Sequence, residues 1–270
     1  MPYSEAPVKR SEWERRVRRA AELTERFSYA AEVLALYQAI LEFQRAIYNE
    51  ISSAPAPAPV MGLSLRAQLD TRKAVRRWDE LLSLIEKKGT AKLAQEAREL
   101  RAGDQWQPEP IVTEYLTSGA DAPHSFFARV LLQPHAEWLA GAYPPLPEGS
   151  AGAVCPICGA RPQAAVLRPA GDGGKRFLLC SLCLTEWEFR RILCPVCDEK
   201  DYQKLPRYSA SEFDAVRVEA CDTCHYYLKS VDLTIDGHAV PLVDEVATVP
   251  LDLWATGHGY KKTEQNLMGF

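Results

Sequence analysis

Cys155-Pro156-Ile157-Cys158, Cys180-Ser181-Leu182-Cys183, Cys194-Pro195-Val196-Cys197 and Cys221-Asp222-Thr223-Cys224 decide how this chain is read. The four C-x-x-C pairs contain all eight cysteines, separated by 21, 10 and 23 residues. Two thiolates three positions apart on a tight turn face one cation, and two such turns complete a tetrahedron. Thiolate is a soft donor and selects zinc or iron over magnesium or calcium. A lone C-x-x-C is as readily a buried pair or a redox dithiol, and the dithiol wants a strand-to-helix context. Here Gly and Pro surround the pairs, as in Cys155-Pro156-Ile157-Cys158-Gly159. A structural disulfide framework is disfavoured in a reducing compartment.

Working outward, the segments between the pairs repeat. In the first unit Ala164-Ala165-Val166-Leu167 and Arg176-Phe177-Leu178-Leu179 flank the turn Gly171-Asp172-Gly173-Gly174. Thr185-Glu186-Trp187-Glu188-Phe189 then alternates polar and apolar, as a half-buried strand does. In the second unit Val216-Arg217-Val218 leads into a pair and Tyr227-Leu228-Lys229-Ser230-Val231 leaves it. The repeat groups Cys155, Cys158, Cys180 and Cys183 as one site and Cys194, Cys197, Cys221 and Cys224 as the other. An interleaved grouping, first pair with third, is the weaker alternative. Each site is closed: four protein thiolates leave no open position for substrate, as a catalytic zinc requires, and no cysteine is left as a nucleophile. The expected cofactors are two metal ions per chain, structural if zinc and able to carry single electrons if iron. His225, directly after Cys224, reads as a surface residue, with a tuning or replacement ligand as the alternative.

The first half of the chain is helical in pattern. Val33, Leu36, Ile40, Phe43, Ile47 and Ile51 recur at spacings of three and four within a helix over 9–52. Ala54-Pro55-Ala56-Pro57-Ala58-Pro59 breaks it. Further helices are expected at 65–88, closed by Gly89, at 92–101 and at 125–142, before the linker Tyr143-Pro144-Pro145-Leu146-Pro147. The arginine pairs Arg15-Arg16, Arg18-Arg19 and Arg76-Arg77 read as solvated helix faces. The fold expected is α+β: a helical bundle at 1–148, a first four-cysteine ribbon at 149–193, and a second at 194–270 with a C-terminal extension, the ribbons being tandem rubredoxin-like or zinc-ribbon-like units.

Composition narrows the function. The chain is 47% hydrophobic and 25% charged, as globular proteins are. Its apolar runs fall short of the roughly 20 residues a bilayer crossing needs, so no membrane insertion is expected. Met1-Pro2-Tyr3-Ser4-Glu5 has no secretory pattern, so the chain is expected to be cytoplasmic. Residues 1–150 hold 19 basic and 20 acidic side chains, and residues 151–270 hold 13 and 16. Neither half has the basic balance that supplies nucleic-acid affinity, so a nucleic-acid-binding ribbon is disfavoured. Self-association is compatible with the sequence. No phosphate-binding loop, metalloprotease helix or nucleophile elbow is present.

The run Cys180-Ser181-Leu182-Cys183-Leu184-Thr185-Glu186-Trp187, followed by Arg190-Arg191 and Cys194, resembles the central signature of the FdhE family of formate dehydrogenase accessory proteins. The likeness continues through Glu219, Cys221-Asp222-Thr223-Cys224, Tyr227-Leu228-Lys229, Asp244-Glu245-Val246-Ala247-Thr248, Leu251-Asp252, Gly259-Tyr260 and Asn266, covering about residues 153–268. Two positions depart. Glu188 stands where the family commonly has histidine, and His225 where it commonly has glycine, which tolerates positive φ. The resemblance implies a non-enzymatic cytoplasmic accessory protein. It would bind the immature catalytic subunit of a respiratory, exported, molybdenum-type formate dehydrogenase, and it favours rubredoxin-like iron as the metal. A rubredoxin-like electron carrier to a client metalloenzyme is the alternative function.

Overall fold

The computed structural model describes residues 5–103, 107–146, 152–171 and 173–270. Pro147 of the expected linker and Asp172 of the expected turn lie outside them. The N-terminal stripe folds as two helices, α1 (Glu5–Arg26) and α2 (Ala31–Ile51). The continuous helix expected over 9–52 is interrupted at 27–30, because Phe27 and Tyr29 turn aside to set their rings against Phe213, at 5.8 and 6.2 Å. A tertiary aromatic cluster thus overrides local helix propensity.

The helix expected over 65–88 is also subdivided. Ser64 caps a 3-10 turn at Leu65–Gln68, Leu69 is extended, and Asp70 caps α3 (Thr71–Ala74) by accepting from the Lys73 amide. After a tightened turn, α4 (Trp78–Lys88) buries Trp78, Leu81, Leu82 and Ile85. Ser64 and Asp70 are the N-cap types that mark these starts. α5 (Ala91–Ala102) follows Thr90, whose hydroxyl caps it. α6 (Pro108–Ser118) was not expected from periodicity, yet Pro108 in its first turn and Gly119 at φ +69° bracket it.

α7 (Ser125–Ala140) is buried along nearly its whole length. Its polar residues face inward to partners rather than outward to water. Glu137 accepts two hydrogen bonds from the buried Arg16, at 2.8 and 2.9 Å. Gln133 meets Gln44 at 3.0 Å. Arg19 reaches Asp244 and Asp236. Arg16 and Arg19 are therefore not the solvated face expected of them. They tie α1 to α7 and to the C-terminal segment.

The second half forms one sheet in the order β3 (Glu186–Glu188), β2 (Gly173–Cys180), β1 (Pro162–Ala170), β6 (Tyr226–Asp232), β5 (Val216–Ala220), β4 (Arg207–Ser209), with β7 (Lys261–Lys262) beside the start of β6. β1, β2 and β3 are antiparallel neighbours. So are β4, β5 and β6. The two triplets lie in the same order and are joined by parallel pairing of β1 with β6, from Ala164↔Lys229 to Leu167↔Asp232. The tandem units thus share one sheet. Two short helices, α8 (Pro241–Ala247) and α9 (Val249–Gly257), follow, with α8 lying against α1, β1 and β6. Among the described residues no helix is long and apolar enough to cross a membrane.

Candidate metal centres

Each C-x-x-C pair is built into the same backbone turn. The first cysteine's amide donates to the carbonyl five residues on: Cys155 to Ala160 at 2.8 Å, Cys180 to Thr185 at 3.0 Å, Cys194 to Glu199 at 3.0 Å and Cys221 to Tyr226 at 2.9 Å. The residue after the second cysteine is left-handed in all four: Gly159 at φ +74°, Leu184 at +57°, Asp198 at +59° and His225 at +58°. A left-handed non-glycine residue costs roughly 1–2 kcal/mol. Three of the four turns accept that cost, so the loop geometry outweighs residue preference. His225 adopts the conformation that a glycine would have supplied freely.

The turns bring the thiols together as the repeat predicts. Cys155, Cys158, Cys180 and Cys183 form one group and Cys194, Cys197, Cys221 and Cys224 the other, with the sulfur atoms of each group within 4.8 Å of one another. The interleaved grouping is not the one formed. Cys155–Cys183 and Cys158–Cys180 are 3.5 and 3.3 Å apart at Sγ, and Cys194–Cys224 and Cys197–Cys221 are 3.7 and 3.6 Å apart. A tetrahedron with metal–sulfur bonds of about 2.3 Å has edges of about 3.8 Å. Both groups approach that size. All eight cysteines are free thiols. His225 is exposed, its ring 6.2 Å from that of Tyr260, and it contributes no atom to either group.

The protonation balance fits a cation. Hydrogen bonds from Cys158, Cys180 and Cys183 hold Cys155 far below the ordinary thiol range. Burial raises Cys180, and bonds from Cys155 and Cys158 raise Cys183. In the second group burial pushes Cys194 up to about 11 and also raises Cys224, whereas the amides of Cys224 and Thr223 overcome burial to lower Cys221. Negative charge on Cys180, Cys183, Cys194 and Cys224 is thus unfavourable until a cation compensates it.

The two groups sit in different surroundings. All four cysteines of the first are buried; in the second Cys197 is exposed and Cys224 half-buried. The first is clamped by the helical half: Arg129 and Gln133 of α7 both donate to the Ser181 carbonyl, at 3.1 and 2.8 Å, and the Leu65 amide donates to the Ile157 carbonyl. The second is braced locally. Thr223 donates to Glu199 at 2.6 Å, and the Asp222 amide to the Lys204 carbonyl. Glu199 also accepts from the amides of Lys200 and Asp201, and these bonds hold its carboxyl at about 2.

One polar cluster was not anticipated. Lys229, fully buried, contacts Glu245 at 3.1 Å and also Asp252. Lys262 contacts the same two carboxylates, Asp252 at 2.9 Å. Asn266 donates to Glu245 and Tyr227 to Asp252, each at 2.8 Å. Burial alone would raise Glu245, but Lys229 and Lys262 hold it at about 2. Burial lowers the Lys229 pKa. The network pins α8, α9 and the terminal segment to β6. Its signal was Lys229, Glu245 and Asp252 standing within apolar runs, where buried charge must be paired.

Comparison with known proteins places these features. The family model of the FdhE central domain matches residues 154–191 and that of the FdhE C-terminal domain residues 192–268, which together hold all eight cysteines and the buried network. An FdhE homologue from Aquifex aeolicus is 29% identical over 97% of both chains. The crystal structure of the FdhE protein from Pseudomonas aeruginosa superposes with a TM-score of 0.75, at 27% identity, over 96% of both chains. The chain carries the FdhE central and C-terminal domains. A curated FdhE homologue from Pseudomonas aeruginosa is 35% identical over 53% of this chain and 48% of its own length. FdhE proteins are formate dehydrogenase accessory proteins rather than catalytic enzymes. The structural likeness to FdhE extends through the helical half, for which sequence motifs gave no family signal.

Proposed function

We propose that the protein acts in the cytoplasm as a maturation factor that binds the immature catalytic subunit of a respiratory, molybdenum-type formate dehydrogenase. The observation that carries this reading is the coincidence of the FdhE central and C-terminal domains with two four-thiol groups of tetrahedral size. Cys155, Cys158, Cys180 and Cys183 would hold one ion and Cys194, Cys197, Cys221 and Cys224 the other, iron by the family resemblance or zinc by the same donor chemistry. A bound ion neutralises the thiolates and fixes the turns that carry them, so metal binding and folding are one equilibrium. The chain's own contribution is a rigid, aromatic-bearing sheet backed by the helical half. We keep 1–148, 149–193 and 194–270 as its working units, to be checked by limited proteolysis of the full chain.

An anaerobic pull-down from formate-respiring cells, with metal analysis of the recovered complex, tests the reading. Recovery of a formate dehydrogenase catalytic subunit supports it. Normal enzyme maturation after serine replacement at both sites would overturn its metal-dependent part. A second reading, electron transfer through a rubredoxin-like iron, is favoured at the second site by the exposure of Cys197. It requires a reversible visible-absorbance change on reduction, and an active protein filled only with zinc would eliminate it.

A further inference from the structure

The tandem order of the sheet leaves its two units unequally covered. β1 opens the first unit as β4 opens the second. The outer side of β1 is closed by the parallel strand β6. The outer side of β4 has no strand beside it among the described residues. The Ala220 amide donates to the Pro206 carbonyl at 3.0 Å, and Arg207 lies opposite Glu219. This register puts Tyr208 in the hydrogen-bonded pair with Val218 and turns the backbone amides and carbonyls of Arg207 and Ser209 away from the sheet.

Beside this edge runs a groove of about 800 Å³, walled by Phe27, Tyr29, Tyr208, Phe213, Leu251 and Trp254. Its rings are already packed on one another, Tyr208 on Trp254 at 4.5 Å and Phe27 on Phe213 at 5.8 Å, so they form a firm apolar wall. One side is basic: Arg207 lines the groove, is exposed, and donates to the Arg191 carbonyl at 3.1 Å. Among the described residues no carboxylate lies within ion-pair distance of Arg207. The nearby Glu219 is taken by Arg176 at 2.8 Å and Arg217 at 3.5 Å. Glu212 also lines the groove.

We propose that the β4 edge binds an extended peptide segment of a partner protein. The segment adds as a strand to β4, sets alternate apolar side chains into the aromatic groove, and places acidic residues against Arg207. Two observations select this occupant: the place that β6 fills beside β1 stands open beside β4, and Arg207, with no carboxylate partner among the described residues, calls for negative charge on that side. Because β6 runs parallel to β1, the added strand runs parallel to β4, with its acidic amino-terminal end nearest Arg207. The inference goes beyond the accessory reading and would give it a client-binding surface.

The test is fluorescence anisotropy of the full metal-loaded protein with a labelled peptide of alternating valine and threonine headed by two aspartates. Ser209→Pro removes an outward amide without touching the ladder to β5, and should weaken binding on the order of tenfold. Arg207→Glu, at an exposed side chain, should weaken it comparably and favour a peptide headed by two lysines instead. Equal affinity for the reversed sequence, or affinity unchanged by both variants, overturns the proposal. So does a concentration-dependent dimer in sedimentation that Ser209→Pro abolishes, which would assign the edge to a second copy. If Ser209→Pro disturbs the near-UV spectrum, Arg207→Glu decides alone. The assay contains no formate dehydrogenase, so its failure leaves the accessory reading standing.

Discussion

The two four-thiol groups share one backbone turn and differ in almost everything around it. The first is buried and clamped by Arg129 and Gln133 from the helical half; the second has Cys197 exposed and is braced by its own loop. The same ligand set can therefore be an internal support at one position and an accessible centre at another. Burial limits the exchange of metal and protons with solvent, whereas an exposed thiolate meets chelators, oxidants and partners directly.

The largest expected effect comes from breaking the buried member. Cys180→Ser should remove a binding energy on the order of 10 kcal/mol and leave no soluble folded protein, whereas Cys197→Ser should fold and retain one metal. Soluble yield and metal content per chain check both, and equal losses would dissolve the distinction. Chelator titration sharpens it. EDTA should strip the second group first, giving a plateau at one metal per chain with the far-UV spectrum retained.

Next is the network behind the second unit. Lys229→Met strands Glu245 and Asp252 with a single lysine and should cost about 3–5 kcal/mol in urea unfolding, without selective loss of metal from the first group. A smaller effect concerns acid. His135 on α7, the helix that clamps the first group, is held neutral by burial, its pKa pushed down to about 4. The unfolded chain takes up this proton as pH falls below 6.5 and the fold does not, so stability declines between pH 6.5 and about 4 by about 3 kcal/mol at most. His135→Leu should flatten that part of the pH–stability curve relative to the parent.

The smallest effect tests the turns. His225→Gly should stabilise by about 1 kcal/mol or less, since relief of the left-handed side chain exceeds the entropy that glycine adds to the unfolded chain. Leu184→Gly should destabilise instead, because Leu184 is buried and its packing is lost. Thermal unfolding of the two variants distinguishes them by sign.

The metal-site residues were legible because spacing and chemistry coincide there: each C-x-x-C fixes a local turn, and the repeat between pairs fixes their grouping. The left-handed residue at 225 was legible through the resemblance, which implies a glycine there. The joining of the ribbons through β1 and β6 was not, since parallel pairing between distant strands leaves no local pattern. The break at Phe27 depends on a ring more than 180 residues away. Arg16 and Arg19 looked solvated because charge usually is, and only their partners Glu137 and Asp244 explain their burial. α6, α8 and α9 were missed although Pro108, Pro241 and Pro250 stand in their first turns.

The parallel junction also sets a clock. Ala164 cannot meet Lys229 until 65 more residues have been made, which takes roughly 3–13 s at ordinary elongation rates. During that interval the first ribbon can close on its metal while the backbone of β1 still lacks the strand that will cover it. The second ribbon, made after the first, is therefore also the cover that ends the exposure of β1 to unwanted strand pairing.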